Sequence, residues 1–176
     1  VQVPLPAWQQ RERLAANATA APSPTGRLHD GLLDMAWEHP HALAVIDASG
    51  SLTYAALAER ALAVAATLRE AGCEAQEPVA ILMPKGLDQV VAAYGVLLAG
   101  AAYLPLDSNA PAARRDRVLL SAKVRHVLGH SLAQPNTPLP ETLQWHAVDR
   151  LPSAGADSEL IEGGPATLAY VIYTSG

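Results

Sequence analysis

Leu168-Ala169-Tyr170-Val171-Ile172-Tyr173-Thr174-Ser175-Gly176 is the stretch whose reading decides the fold. The continuous apolar run from Leu168 to Tyr173 suits a strand buried on both faces of a parallel sheet. It breaks abruptly into Thr174, Ser175 and Gly176, which bring hydroxyl donors and unobstructed backbone N–H groups. A buried strand that empties into such a turn is how a phosphate-binding loop begins.

Upstream, the pattern alternates between strand and helix, as an α/β fold requires. Arg27 to His39 reads as a helix with Leu28, Leu32, Met35 and Ala36 on one side, ended by Pro40. Leu43–Ile46 and Ser51–Leu52 read as a hairpin around the turn Asp47-Ala48-Ser49-Gly50. Thr53 then opens a helix whose stripe of Tyr54, Leu57, Ala61, Val64, Ala65 and Leu68 recurs every three to four residues, and Gly72 stops it. Thr53 is a good N-cap; Ala56 stands where a glutamate would complete a capping box.

Pro78–Met83, Gly86–Ala99 and Ala101–Leu104 form a strand-helix-strand unit. Beyond Asp88 and Gln89 the helix is apolar all round, so burial on several sides is expected. Gly95 in its interior costs about 1 kcal/mol against alanine, which points to close contact with another element. A helix from Asn109 to about Ala122, with Pro111 in its first turn, and strands at Arg125–Leu128 and Leu143–Val148 complete the pattern. Residues 1–26 hold Pro4, Pro6, Pro22 and Pro24 around a short helical patch near Trp8 to Ala16 and read as a linker.

Three segments carry a family resemblance. Leu52-Thr53-Tyr54-Ala55-Ala56-Leu57 resembles the first core motif of adenylate-forming enzymes. Leu97-Leu98-Ala99-Gly100-Ala101-Ala102-Tyr103-Leu104-Pro105-Leu106-Asp107 resembles the second. Residues 168–176 resemble the opening of the nucleotide-binding motif, whose continuation through Ser-Thr-Gly and Pro-Lys-Gly lies beyond the sequence. The chain is thereby identified as resembling the adenylation domain of a nonribosomal peptide synthetase over positions 27–176, the N-terminal part of the large domain. Leu98 and Ser108 depart from the second motif, where lysine and proline are frequent. Neither position carries the adenylation chemistry.

The resemblance implies an ATP-dependent ligase that needs Mg2+. A substrate carboxylate attacks the α-phosphate of ATP, pyrophosphate leaves, and the acyl group passes to the phosphopantetheine thiol of a carrier-protein domain. It further implies an upstream condensation or heterocyclisation domain, and cysteine, serine or threonine as substrate. Only Thr174, Ser175 and Gly176 map onto residues that touch nucleotide phosphate. No catalytic residue is assigned, and the chain by itself is expected to be inactive. An acyl-coenzyme A ligase and a non-catalytic folding or docking piece are the alternatives.

Composition narrows the field independently. Twelve Lys and Arg against seventeen Asp and Glu give a net charge of −5, so the footprint of a nucleic-acid binder is missing. Arg114, Arg115, Arg117, Lys123 and Arg125 form a basic run read as a solvated surface. Lys85, Asp88 and Asp107 interrupt the most apolar region, which leaves no span of roughly 20 uncharged residues for a bilayer. Cys73, the only cysteine, excludes an internal disulfide, fits a cytoplasmic location and is read as structural. The six histidines show no ligand spacing, so no metal is assigned.

Overall fold

A computed structural model describes residues 5–22, 25–133, 138–152 and 166–174. Five α-helices and six strands run in the order α1 (Ala7–Ala16), α2 (Asp30–Glu38), β1 (Leu43–Asp47), β2 (Gly50–Thr53), α3 (Tyr54–Glu70), β3 (Pro78–Leu82), α4 (Leu87–Leu98), β4 (Ala102–Leu106), α5 (Ala112–Ser121), β5 (His126–Gly129) and β6 (Gln144–Ala147) among the described residues. A 3-10 turn, Val148–Arg150, follows β6.

β1 and β2 pair as an antiparallel hairpin, closed by the Asp47 carboxylate, which accepts hydrogen bonds from the Ser49 and Gly50 amides and the Ser49 hydroxyl. The other strands form one parallel sheet in the order β4-β3-β5-β6. β3 therefore sits between β4 and β5, and the chain reverses its direction of travel across the sheet at that point. Ligands in open α/β sheets settle outside the carboxyl ends of the strands at such a reversal.

Alternation along β3 shows why both faces of the sheet are apolar. Val79, Ile81 and Met83 join the core beneath α3 and α4, while Ala80 and Leu82 join the core beneath α5 with Leu104, Leu119 and Val127. α4 is apolar all round because it is enclosed: Val91, Ala92, Gly95, Val96, Leu97 and Leu98 are all buried. Its glycine is the point of closest approach to α3. A Cβ at Gly95 would overlap Val64 and stand 2.9 Å from the Ala61 carbonyl oxygen.

The helix ends follow from single residues. Thr53 Oγ1 accepts the Ala56 amide at 3.3 Å, capping α3. At its far end Gly72 takes a φ of 78°, open to glycine without strain, and lets the Cys73 amide return to the Leu68 carbonyl at 2.9 Å. α4 has no cap from its own flank. Asp47 serves it from the hairpin, its Oδ2 accepting the Leu87 amide at 2.9 Å.

Three expectations need correction. Residues 168–173 are not buried on both faces: Leu168 and Ile172 are 55% and 60% exposed. Among the described residues the segment pairs only with the outer edge of β4, through the Tyr103 amide to the Ala169 carbonyl and the Val171 amide to the Tyr103 carbonyl. Its free side meets no described strand, and only Val171 turns into a core. Arg115 is not a solvated residue of the basic run but is 5% exposed, its guanidinium bonded to Asp116 and to the Pro138 carbonyl. Leu28 lies before α2 and is exposed, so Leu32, Leu33 and Ala36 make that helix's contact with the core.

Candidate functional site

The carboxyl edge of the parallel sheet gathers the polar groups that the core excludes. β3 delivers Met83 to Gly86 there, β4 delivers Pro105 to Asn109, and β5 delivers His130 and Ser131. The parallel bridge between Tyr103 and Tyr170 sets the final segment alongside β4, running in the direction of the same edge. Thr174 is exposed, and the preceding Tyr173 hydroxyl donates to Ser121 Oγ at 3.2 Å, which ties the segment to α5. Ser175 and Gly176 lie outside the described residues.

Two clefts open on this edge. One, of about 520 Å3, lies between the turns after β3 and β4 and is lined by Lys85, Gln89, Asp107 and Asn109 among others. The second, of about 600 Å3, lies over the reversal point between β3 and β5, where Lys85, Arg60, Asp88 and His130 meet the side chain of Leu132.

A charge network floors the second cleft. Asp88, in the first turn of α4, pairs with Arg60 of α3 through Oδ1 and with His130 Nε2 through Oδ2 at 3.3 Å. His130 Nδ1 lies 3.9 Å from Asp149, which also accepts the Ser131 amide at 2.7 Å and the Ser131 hydroxyl. Burial pushes the Asp149 carboxyl up, but the Ser131 donors outweigh it and hold the group below the ordinary carboxylate value. The Asp47 carboxyl is likewise held down, first by the Ser49 hydroxyl and then by the Leu87 amide. These carboxylates are therefore charged and already partnered at neutral pH.

Of the residues expected to touch phosphate, Thr174 is exposed at the end of the segment that runs beside β4, and it is not among the residues lining either cleft. Sequence reasoning missed the network of Arg60, Asp88, His130 and Asp149, whose members lie on four different segments. One signal was available: Asp88 is the lone charge in an otherwise apolar helix.

Residues 34–176 match the family described as AMP-binding enzyme. Phenyloxazoline synthase MbtB of Mycolicibacterium paratuberculosis is 41% identical over 174 residues, which is 98% of this chain and 15% of that protein. Pyochelin synthetase PchE of Pseudomonas aeruginosa is 38% identical over 99% of this chain and 12% of its own length. The chain thus spans about a seventh or less of the curated relatives it matches. Crystal structures of the nonribosomal peptide synthetase FmoA3, with AMPPNP or alpha-methyl-L-serine-AMP bound, share 36% identity and a TM-score of 0.86 with it. They match over 94% and 95% of this chain and 18% and 19% of theirs. With the family motif covering most of its length and the same parallel-sheet framework beneath it, this chain belongs to the AMP-binding enzyme family.

Proposed function

We propose that this chain forms the first part of the adenylation domain of a nonribosomal peptide synthetase, with residues 1–26 as interdomain linker and residues 27–176 as adenylation domain. In the whole protein the domain condenses an amino acid with ATP to aminoacyl-AMP and pyrophosphate, then loads it onto the phosphopantetheine thiol of a carrier-protein domain in the cytoplasm. The observation behind the reading is that the segment ending in Thr174 runs parallel beside β4, in a chain that matches a phenyloxazoline synthase, a pyochelin synthetase and a nonribosomal peptide synthetase along nearly its whole length. Thr174, Ser175 and Gly176 contribute the hydroxyl and amide donors that orient phosphate and offset its developing charge.

Mg2+ accompanies ATP in this chemistry, where it neutralises phosphate charge. Among the described carboxylates at this edge, Asp47, Asp88 and Asp149 are engaged through both oxygens, whereas Asp107 accepts the Asn109 amide on Oδ1 alone.

For substrate, the reading favours serine, threonine or cysteine. Among the relatives, one is named for forming an oxazoline, a ring that contains one oxygen and one nitrogen, and a structural neighbour holds alpha-methyl-L-serine-AMP. An upstream heterocyclisation domain accords with the first. The test is amino-acid-dependent exchange of pyrophosphate into ATP by the full-length polypeptide across all proteinogenic amino acids. Preference for serine, threonine or cysteine is the expected result; preference for an aromatic or bulky aliphatic amino acid would overturn the substrate class and leave the adenylation reading standing.

A further inference from the structure

At the opposite, amino-terminal edge of the sheet, three residues distant in sequence converge. Cys73 follows the glycine that ends α3, Glu77 immediately precedes β3, and His126 opens β5. Each is fixed by backbone. The Cys73 amide donates to Leu68, the Glu77 carbonyl accepts the Ala102 amide at 3.0 Å, and His126 pairs in register with Val79. One potential ligand atom from each lies within 4.8 Å of the other two.

His126 is the observation that asks for a ligand. Its ring is 0% exposed, its Nδ1 lies 3.3 Å from His146 Nε2, and its Nε2 has no hydrogen-bond partner among the described residues. That orphaned nitrogen faces Glu77 Oε1 at 4.0 Å. A buried polar nitrogen without a partner is costly, and native proteins rarely leave one so. A contact from the other ring nitrogen is the usual way that a metal-binding imidazole is oriented.

We propose that Cys73 Sγ, Glu77 Oε1 and His126 Nε2 form a binding site for one divalent transition-metal ion of the zinc class, at the edge of the sheet remote from the carboxyl-edge clefts. The donor set is one sulfur, one nitrogen and one oxygen, which suits Zn2+ and leaves a fourth tetrahedral position for water. Tetrahedral ligand atoms stand roughly 3.5 Å apart around zinc, so the three groups need close by only on the order of 1 Å. On binding, the S–H bond breaks, its proton goes to solvent, and metal–S, metal–O and metal–N bonds form; no electrons are transferred. Without a cation, burial and the Glu77 carboxylate push the thiol up to about 12, which keeps it protonated; a dication in the site reverses that balance.

Arg125 is the competing cation. Its Nε and Nη2 hold Glu77 Oε1 and Oε2 at 2.7 and 2.6 Å. The guanidinium also reaches the Gly72 carbonyl at 3.0 Å, so it stays anchored through Nη2 when Oε1 turns to the metal. Thiolate and carboxylate together neutralise the ion, leaving Arg125 to orient the second carboxylate oxygen.

Because Cys73 is the sole cysteine, cobalt reports on this site alone. Titration of the full chain with Co2+ is expected to give a thiolate-to-cobalt charge-transfer band saturating at one ion per chain and displaced by Zn2+. The band is expected to vanish in Cys73→Ser and its affinity to fall at least about tenfold in Glu77→Gln, with His41→Gln unchanged. A measurement on the unaltered chain guards against variants that do not fold: one equivalent of Zn2+ should slow alkylation of Cys73 by iodoacetamide. No thiolate band in excess Co2+, equal affinity in Glu77→Gln, or an alkylation rate indifferent to Zn2+ would each overturn the site.

Discussion

Gly95 of α4 stands so close to Val64 of α3 that a methyl group on the glycine would overlap the valine's Cβ and Cγ1. The neighbours cannot yield cheaply, because Val64 is branched and buried and Ala61 contributes backbone. Gly95→Ala should therefore destabilise by about 1–3 kcal/mol, even though alanine is the better helix former by about 1 kcal/mol. Urea unfolding of the two chains checks the sign. A gain in stability would contradict the close approach of α3 and α4 at Gly95 and Val64.

Gly129 tests the other face of the sheet. A Cβ there would run into the six-membered ring of Trp145, which lies diagonally across on β6, two residues before the register partner Ala147. Gly129→Ala is expected to cost about 2 kcal/mol and to change the tryptophan fluorescence, by the same overpacking argument. Unchanged emission and unchanged stability together would contradict the packing of β6.

The cap of α3 gives a pair of opposite effects. Thr53→Ala removes the acceptor for the Ala56 amide and should cost about 1 kcal/mol. Ala56→Glu restores the reciprocal half of a capping box and should gain a few tenths, about 0.3 kcal/mol. Denaturant midpoints of both variants decide this.

Acid sensitivity should come first from histidine. Burial lowers His29, His126 and His146 below the ordinary value of 6.5. Their neutral forms favour the folded state fully above that value, and the advantage is lost as pH falls through the lowered folded values, because the unfolded chain takes up the protons first. Glu77, whose carboxyl burial pushes up but Arg125 pulls below its ordinary value of 4.5, loses its contribution only at lower pH. Unfolding free energies at about pH 7.5 and about pH 5.5 should thus differ, with the lower pH less stable. Equal stabilities would contradict the burial of these rings.

What the sequence made legible was local. The Thr53 cap, the Gly72 stop, the close approach at Gly95 and the strand-helix-strand run from β3 to β4 all rest on residues within one turn or one period of each other. Thr174 could be singled out because the change from apolar to hydroxyl residues is itself local. Arg115 could not, since its burial depends on Pro138 folding over α5. The pairing of Asp88 with His130, and of Glu77 with His126, depends on the parallel register that sets β3 beside β5 across more than forty residues. No spacing rule along the chain encodes that register.

Pyrophosphate exchange with and without the Thr174 hydroxyl tests the central assignment most directly. The full-length polypeptide and its Thr174→Val variant are compared with the preferred amino acid while ATP is varied. Valine keeps the shape and strand preference of threonine, so folding should be unaffected. Loss of one hydrogen bond to a charged phosphate, about 1.5–3 kcal/mol, predicts that kcat/KM for ATP falls at least about tenfold. No amino-acid-dependent exchange by the unaltered polypeptide, or equal kcat/KM in the variant, would contradict the placement of nucleotide phosphate at the carboxyl edge beside Thr174.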